Sequence, residues 1–256
     1  MRLLVLGNPV DHSLSPALHN AALAACGLAG TYERRNVDAA GMESAIAEMR
    51  EGQLSGASVT MPHKELAARL ADRLSPTAVR AGAVNTLVHA NGIVGHNTDV
   101  AGIRAAWSEA QLDEAAPVRI LGTGGAAAAA LLALEGRQLV VSGRRPEAAS
   151  ALLERVGVDA TVVDWASVQS GSVLVNATPL GMGGESLPPQ LLDGIAGLFD
   201  MAYGPMPTPA VAAVRREGLP YADGPAMLLY QAGAAFELWT GFTAPIAAMR
   251  SALPAS

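Results

Sequence analysis

The stretch that decides the fold is Val118-Arg-Ile-Leu-Gly-Thr-Gly-Gly-Ala-Ala127. Val118 to Leu121 is a short apolar run typical of a buried strand, glycines follow at once, and an alanine-rich helical pattern continues to Leu134. Glycines between a strand and a helix let the backbone approach a pyrophosphate, which then faces the free N–H groups of the helix. Ala127 supplies the small residue that lets helix and strand pack closely. The stretch therefore predicts a dinucleotide-binding turn.

A basic loop follows the next predicted strand, 138–142. Gly143, Arg144 and Arg145 come directly after Ser142, about 20 residues beyond the first glycine. An NAD enzyme often carries an acidic residue there, which binds the ribose hydroxyls. Two guanidinium groups suit a phosphate dianion instead. The loop therefore predicts a binding site for the 2′-phosphate of NADP. The alternative is an ordinary basic loop at the protein surface.

Composition narrows the class of protein. The 256 residues are enough for two modest domains, and the sequence is 50% hydrophobic but only 4% aromatic. The net charge of −6, without a concentrated basic run, argues against nucleic acid as the main partner. The longest apolar stretch, about 124–134, is shorter than the roughly 20 residues that span a bilayer, so no membrane association is expected.

The single cysteine, Cys26, and an N-terminus without the features of a signal peptide indicate a cytoplasmic protein. No His, Cys, Asp or Glu cluster has metal-ligand spacing, so we expect no metal site. We expect a monomer or a homodimer that binds a small-molecule substrate.

Apolar runs alternate with helical patterns along the chain, which predicts βα units and mostly parallel sheets. The predicted strands are 2–6, 31–37, 56–60, 84–88, 118–121, 138–142, 160–163, 172–176 and 197–201. The predicted helices are 16–26, 40–51, 63–73, 99–110, 125–135, 146–155, 207–216 and 225–238. Ser15-Pro16 predicts a helix start with Ser15 as the cap, and Gly27 the stop.

Polar clusters end several apolar runs of the N-terminal half. They are Ser13-Leu14-Ser15, Val59-Thr60-Met61-Pro62-His63-Lys64, Ala83-Val84-Asn85-Thr86 and Gly95-His96-Asn97-Thr98-Asp99. Because the carboxyl ends of strands form the ligand crevice of open α/β sheets, we expect a binding site there. The hydroxyls, amides, ammonium and carboxylate of these clusters suit a small polyhydroxylated acid.

Lys64 is the candidate for proton transfer. A cation in the first turn of a helix opposes the helix dipole by about 0.3–1 kcal/mol, and the same field eases proton exchange. The alternative is a solvated surface lysine. Asp99 has two equal interpretations: it caps the helix 99–110, or it holds the lysine or a substrate hydroxyl. His63 and His96 are interpreted as structural or lining residues.

The C-terminal half offers fewer polar candidates. One predicted strand ends in the segment Asn176-Ala-Thr-Pro-Leu-Gly-Met182. This segment suits a loop that lies against the cofactor, and the alternative is a simple turn. Tyr203, after Asp200-Met-Ala, either reaches a ligand or only packs. Gln231 is a polar residue on an otherwise apolar late helix.

In this order and combination the motifs resemble one family, the shikimate dehydrogenases. The matching segments are Ser13–Pro16 with His19-Asn20, Val59–Lys64, Gly82–Thr86, Asn97–Asp99 with Gly102, Gly122–Ala126, Asn176–Met182, Asp200–Tyr203, and Gly224–Met227 with Gln231, Phe236 and Trp239–Gly241. The resemblance implies reversible reduction of 3-dehydroshikimate to shikimate with NADPH, within aromatic amino acid biosynthesis.

The resemblance also implies a role for each motif residue. Lys64 looks like the general acid/base and Asp99 like its partner. The implied substrate contacts are Ser13, Ser15, Thr60, Lys64, Asn85, Asp99, Tyr203 and Gln231. The implied cofactor contacts are Gly122, Thr123, Gly124, Gly125, Ala126, Ser142, Gly143, Arg144, Arg145, Thr178, Met201 and Gly224. Where the family often has Asn-Arg-Thr, this chain has Gly143-Arg144-Arg145, so Arg144 matches and Arg145 adds a charge.

The expected fold class is α/β with two domains. An N-terminal α/β substrate domain, 1–100, is completed by C-terminal helices within 223–256, and a doubly wound Rossmann-type NADP domain, 101–222, lies between them in sequence. One alternative is a quinate or aminoshikimate dehydrogenase on the same scaffold, and an NAD-linked form of it is disfavoured by the two arginines. Another is a non-catalytic sensor of the same metabolite, against which the retention of Lys64 and Asp99 argues.

Overall fold

The structure is a computed structural model that describes residues 1–204 and 207–254. The strands are β1 (Arg2–Gly7), β2 (Thr31–Asn36), β3 (Gly56–Val59), β4 (Arg73–Leu74), β5 (Thr86–His89), β6 (Ile93–His96), β7 (Val118–Leu121), β8 (Leu139–Ser142), β9 (Thr161–Val162), β10 (Val173–Asn176), β11 (Gly197–Asp200) and β12 (Tyr221–Ala222). The helices are α1 (Ser15–Ala25), α2 (Ala39–Arg50), α3 (Lys64–Leu70), α4 (Pro76–Ala81), α5 (Asp99–Glu109), α6 (Gly125–Ala133), α7 (Pro146–Val156), α8 (Pro209–Arg216), α9 (Gly224–Thr240) and α10 (Ile246–Ser251), and a 3₁₀ turn covers Pro189–Leu192.

The chain forms two compact units, each with a six-stranded sheet. Among the described residues, the first unit comprises 1–98 and 228–254, and the second comprises the chain from 99 to 227. Both units are α/β, as the sequence predicts.

The sheet of the second unit has the order β12-β11-β10-β7-β8-β9, and all its strand pairs are parallel. Counted from β7, this is the doubly wound Rossmann order, which reverses between β7 and β10. Ligands of such folds bind at this switch point, beyond the carboxyl ends of the strands. The strands β7, β10 and β11 are buried along their whole length, as expected for a parallel sheet with helices on both faces. The predicted Rossmann-type fold is confirmed.

The sheet of the first unit has the order β2-β1-β3-β5-β6-β4 and is mixed, because β5 runs antiparallel to both of its neighbours. The strands β4, β6 and β12 are not among the predicted strands, and β6 is the longest of the three. Asn91 and Gly92, with φ of 49° and 101°, make the turn that joins β5 to β6. An Asn-Gly pair between apolar runs is a strong hairpin signal, so the sequence does contain this information.

The C-terminal helices complete the first unit. Trp239 of α9 donates its indole N–H to the carbonyl oxygen of Leu87 in β5, at 2.9 Å. Gly56 of β3 leaves room for the indole, because a Cβ at this position would overlap the ring. The helix α10 packs against α1.

Two predicted helices differ from the structure. Ser15 is the first residue of α1 rather than its cap, which is Leu14. The predicted helix 63–73 ends earlier, because Ala71 is extended and the Asp72 carboxylate accepts a hydrogen bond from the Ile93 N–H at 2.7 Å. This bond brings the chain into the short strand β4 beside β6.

Candidate functional sites

A buried polar cluster links three separate stretches of the first unit. Asn85 Nδ2 donates to Thr98 Oγ1 at 3.0 Å and to Gln231 Oε1 at 3.2 Å. Asn85 Oδ1 accepts from the Thr98 N–H at 2.8 Å and from Thr86 Oγ1 at 3.0 Å. All four side chains are buried. The cluster fixes the orientation of Asn85 and Gln231, two predicted substrate contacts that lie 146 positions apart.

Lys64 is the first residue of α3, and its backbone is held from two sides. The Lys64 carbonyl oxygen accepts a hydrogen bond from the Val84 N–H at 2.9 Å. The preceding residue, His63, is buried, and its Nε2 donates to the carbonyl oxygen of Val37 at 2.8 Å. These bonds set the place from which the lysine side chain extends.

The loop before Lys64 lies against the end of β1. The Thr60 N–H donates to the Leu6 carbonyl oxygen at 2.9 Å, and the Asn8 N–H donates to the Met61 carbonyl oxygen at 3.0 Å. Gly7 allows this close approach, because a Cβ there would overlap the Thr60 methyl group. Thr60 itself is half-buried.

Ser13 and Ser15 are both buried, at the loop that leads into α1. Ser13 Oγ accepts from the Ser15 N–H at 3.3 Å, and the Ser13 N–H donates to the Val10 carbonyl oxygen at 3.0 Å. The two predicted substrate contacts therefore belong to one locally bonded turn.

The charge of Asp99 acts on the phenol of Tyr203 in the second unit. Asp99 is buried as the first residue of α5, and Tyr203 follows β11. Burial, and to a smaller extent the negative charge of Asp99, raise the pKa of Tyr203. The phenol therefore keeps its proton at neutral pH and can donate a hydrogen bond.

The glycine turn after β7 has the features of an anion site. Gly122 has φ of 120°, a conformation that suits only glycine, and its N–H donates to the Ser142 carbonyl oxygen at 2.8 Å. Apart from Gly124 itself and its two chain neighbours, no atom of the described residues lies within 4 Å of the place where a Cβ on Gly124 would stand. The helix α6 begins at Gly125 without a side-chain cap from the described part of the chain. Its first N–H groups are therefore open to a ligand, with Ala126 in the first turn.

The loop after β8 lies beside this turn. A Cβ on Gly143 would stand 2.6 Å from the Thr123 methyl carbon, so glycine allows the contact. Arg144 and Arg145 are exposed, and neither guanidinium has a hydrogen-bond or ion-pair partner among residues 1–204 and 207–254. Ser142 is fully buried and its hydroxyl has no partner within the same ranges, so its carbonyl oxygen supports the turn instead.

A second hydrogen-bond network carries Thr178 and Met201. Asn176 Oδ1 accepts from Thr178 Oγ1 at 2.6 Å, and Asn176 Nδ2 donates to Asp200 Oδ1 at 2.8 Å. The Met201 N–H donates to the Asn176 carbonyl oxygen at 3.0 Å. Gly224 starts α9 close by, where a Cβ would meet the Ala202 carbonyl oxygen at 2.6 Å. Thr178 and Met201 are half-buried at the carboxyl end of the sheet.

Two features of these sites go beyond the roles that the sequence predicts for single residues. Thr98 and Thr86 lie at the centre of the buried cluster, and their position inside the motifs of Asn85 and Asp99 was the available signal. Lys64 is moreover the only lysine among 17 lysine and arginine residues. The other 16 are arginines, which do not release their proton, so Lys64 differs from them in its capacity for proton exchange.

Metal centres and membrane-spanning helices are two further kinds of feature that bear on function. In the described residues, no group of three or more His, Cys, Asp or Glu side chains is placed to hold a metal ion. Within those same ranges, none of the helices combines the length and apolar character needed to cross a membrane.

The second unit has a parallel Rossmann sheet with a glycine turn at its switch point, and the first unit carries a lysine and buried amides. Together these features are typical of a dinucleotide-dependent oxidoreductase. Residues 5–87 match the family described as the shikimate dehydrogenase substrate binding domain, and residues 226–253 match the shikimate 5'-dehydrogenase C-terminal domain. The chain belongs to the shikimate dehydrogenase family.

Relatives and solved structures agree over nearly the whole chain. A protein of Moorella thermoacetica named shikimate dehydrogenase (NADP(+)) is 39% identical, over 96% of this chain and 90% of its own length. One of Methylobacterium radiotolerans with the same name is 40% identical, over 94% and 91%. A crystal structure of shikimate 5-dehydrogenase from Thermus thermophilus, in complex with NADP(H) and shikimate, superposes with a TM-score of 0.90 at 35% identity, covering 98% of both chains.

Proposed function

We propose that this protein catalyses the reversible NADPH-dependent reduction of 3-dehydroshikimate to shikimate, in the cytoplasm, as a step of aromatic amino acid biosynthesis. The observation that carries the proposal is the 39% identity to a protein named shikimate dehydrogenase (NADP(+)) over 96% of the chain. The proposed substrate domain comprises 1–100 and 223–256, of which 255 and 256 lie outside the described residues, and the proposed NADP domain comprises 101–222.

The substrate is assigned to the first unit because the polar side chains of this unit can form hydrogen bonds with a hydroxylated acid. The hydroxyls of Ser13 and Ser15 would donate to the carboxylate, and the amides of Asn85 and Gln231 would bind ring hydroxyls. Thr60, Asp99 and Tyr203 would complete the contacts. The buried hydrogen bonds of Asn85 and Gln231 support this assignment, since preoriented amides lose less entropy when a ligand binds.

Lys64 would act as the general acid at the C3 oxygen. In the reductive direction the Lys64 ammonium would donate a proton to the oxygen, and with the hydride that NADPH would supply to C3 the carbonyl would become a hydroxyl. In the reverse direction the neutral amine takes the proton back. Asp99 is its proposed partner.

NADPH supplies the hydride when it is bound. The residues present fit it: Gly122 and Gly124 would let the pyrophosphate approach, and the first N–H groups of α6 would face its charge. The exposed guanidinium groups of Arg144 and Arg145 would hold the 2′-phosphate. The remaining proposed contacts are Thr123, Gly125, Ala126, Ser142, Gly143, Thr178, Met201 and Gly224.

A turnover assay with shikimate and quinate, each with NADP and NAD, tests the function. We expect turnover with shikimate and NADP to have the highest kcat/KM. Lys64→Ala should lower kcat by about 10²–10⁴-fold, the usual loss for a general acid/base, while shikimate affinity stays within several-fold. Near-wild-type turnover of Lys64→Ala would remove the lysine from the mechanism.

Lys64→Arg is the matched control for this experiment. It keeps the positive charge but cannot release a proton, so it should be as inactive as Lys64→Ala. Because Lys64 is the only lysine, reductive methylation with ¹³C-formaldehyde gives one lysine signal in NMR, and its pH titration can be followed directly. Binding of shikimate without any turnover in the wild-type protein would favour the sensor.

The cofactor choice is tested at Arg144. A charge-assisted hydrogen bond contributes about 1.5–3 kcal/mol, and 1.4 kcal/mol is tenfold in affinity. Arg144→Ala should therefore raise KM for NADP by about 10- to 100-fold and leave KM for NAD nearly unchanged. Arg145→Ala should act in the same direction, and Arg155→Ala, an exposed arginine near the end of α7, serves as the control. Equal efficiency of the wild-type protein with NAD and NADP would contradict the assignment.

A further inference from the structure

We propose that Arg34 is a positioning residue for the substrate carboxylate, because its guanidinium fixes the turn that carries Ser13 and Ser15. The inference rests on the proposed function, in which these two serines bind the carboxylate. It assigns a role to a residue of the edge strand β2 that belongs to none of the motifs described above.

The guanidinium of Arg34 forms a fork, in which two of its N–H groups donate to one carbonyl oxygen. Arg34 Nε donates to the carbonyl oxygen of Ser13 at 3.0 Å, and Arg34 Nη2 donates to the same oxygen at 2.6 Å. Hydrogen bonds from a charged donor are roughly twice as strong as neutral ones. The guanidinium therefore fixes both the position and the direction of the Ser13 carbonyl group.

A neighbouring side chain of the same strand face reinforces the contact. Residues 34 and 36 of β2 point to the same side, because side chains alternate along a strand. Asn36 Oδ1 accepts from the Val10 N–H at 2.9 Å, and Asn36 Nδ2 donates to Asp11 Oδ1 at 2.8 Å. The segment from Val10 to Ser13 is thus fastened to β2 at three points.

The fixed segment determines where the serine hydroxyls lie. Ser13 Oγ accepts from the Ser15 N–H at 3.3 Å, so a movement of Ser13 is passed on to Ser15. Both residues are buried, and neither hydroxyl can follow a ligand by a large displacement of its own. Loss of the Arg34 fork should therefore weaken carboxylate binding without touching the groups that transfer the proton.

Arg35 offers a matched control. It is the next residue of the same strand and points to the opposite face, where it binds both carboxylate oxygens of Glu48 in α2, at 2.6 and 3.0 Å. Arg35→Gln removes the same charge from the same strand but leaves the serine turn intact.

The experiment measures steady-state kinetics of Arg34→Gln, Arg34→Lys and Arg35→Gln with shikimate and with its methyl ester. Arg34→Gln should raise KM for shikimate about tenfold, while kcat and KM for NADP stay within twofold, since an interaction shared by ground and transition states changes KM alone. Arg34→Lys should lie between it and the wild type, because an ammonium keeps the charge but not the fork. Arg35→Gln should leave all three constants within twofold.

The methyl ester distinguishes positioning from general damage. It lacks the charged carboxylate, so the effect of Arg34→Gln on its KM should fall to within twofold, as a double-mutant cycle requires for coupled groups. An equal loss with acid and ester, or equal KM in Arg34→Gln and Arg35→Gln, would overturn the inference while the proposed function stands. Absence of shikimate turnover in the wild-type protein would overturn the proposed function and this inference with it.

Discussion

His19 is completely buried in α1, between the rings of Tyr32 and Trp239, with centroid separations of 4.3 and 5.0 Å. In the described ranges neither of its ring nitrogens has a hydrogen-bond partner. Burial lowers the pKa of His19 from 6.5 to about 3. The folded protein therefore holds a neutral imidazole at a pH where the unfolded chain binds a proton.

This difference makes stability depend on pH in a defined window. Because the unfolded state takes up the proton below about 6.5 and the folded state only below about 3, the free energy of unfolding falls as the pH drops from 6.5 to 3. The slope from this one residue is at most about 1.4 kcal/mol per pH unit. His19→Leu, apolar and of similar volume, should flatten the acid limb of a urea-denaturation series by that slope.

His89→Gln is the control, since His89 is exposed at the end of β5. Comparison of the two variants separates the effect of the buried position 19 from the loss of any one imidazole. A His19→Leu protein with the wild-type slope between pH 6.5 and 3 would show that the imidazole is protonated in the folded state.

At the scale of elements, a single carboxylate joins the ends of β10 and β11 to the start of α8. Asp200 Oδ1 accepts from Asn176 Nδ2 at 2.8 Å and from the Ala202 N–H at 3.1 Å, and Oδ2 accepts from Thr208 Oγ1 at 2.6 Å. Thr208 is also the cap of α8. Burial raises the pKa of Asp200, whereas the three donors act in the opposite direction.

Asp200→Ala removes the acceptor of all three donors and should lower the free energy of unfolding by about 2–4 kcal/mol. Asp200→Asn should cost less, because its amide oxygen can still accept from Asn176 and Ala202. The loops that carry Thr178 and Met201 lose their common anchor, so KM for NADP should rise in both variants while KM for shikimate stays within twofold.

Differential scanning calorimetry and steady-state kinetics measure these two effects. Asp193→Ala, in an exposed part of the same unit, should change neither. Unchanged KM for NADP in a destabilised Asp200→Ala protein would confine Asp200 to a role in stability.

At the scale of the whole molecule, the parts predicted from the sequence are those encoded locally. The turn at Gly122 is visible because a strand, glycines and a helix follow one another within about fifteen residues. The helix α4 was missed although it carries equally local signals, namely Ser75 as its cap, Pro76 at its start and Gly82 in a left-handed conformation at its end. The sequence therefore contains the information that predicts α4.

The contacts that build the polar cluster join stretches that are far apart in sequence, so they are not encoded locally. Asn85 and Gln231 are 146 positions apart, and no periodicity or spacing determines that their amides share a hydrogen bond. The fork of Arg34 on Ser13 spans 21 positions and depends on how β2 lies beside β1. Such contacts follow from the pairing of strands, which a single sequence does not specify.

Because α9 packs against the first sheet, the first unit cannot complete its fold until late in synthesis on the ribosome. Trp239 and its acceptor Leu87 are separated by 152 positions, so at about 5–20 residues per second roughly 8 to 30 s of translation pass between them. Throughout that interval the space beside Gly56 has no indole to fill it, and the apolar face of a nascent sheet stays open to chaperones. The segment Asp99–Met227 is continuous and can fold as soon as it emerges, so the half of the protein made first is the half finished last.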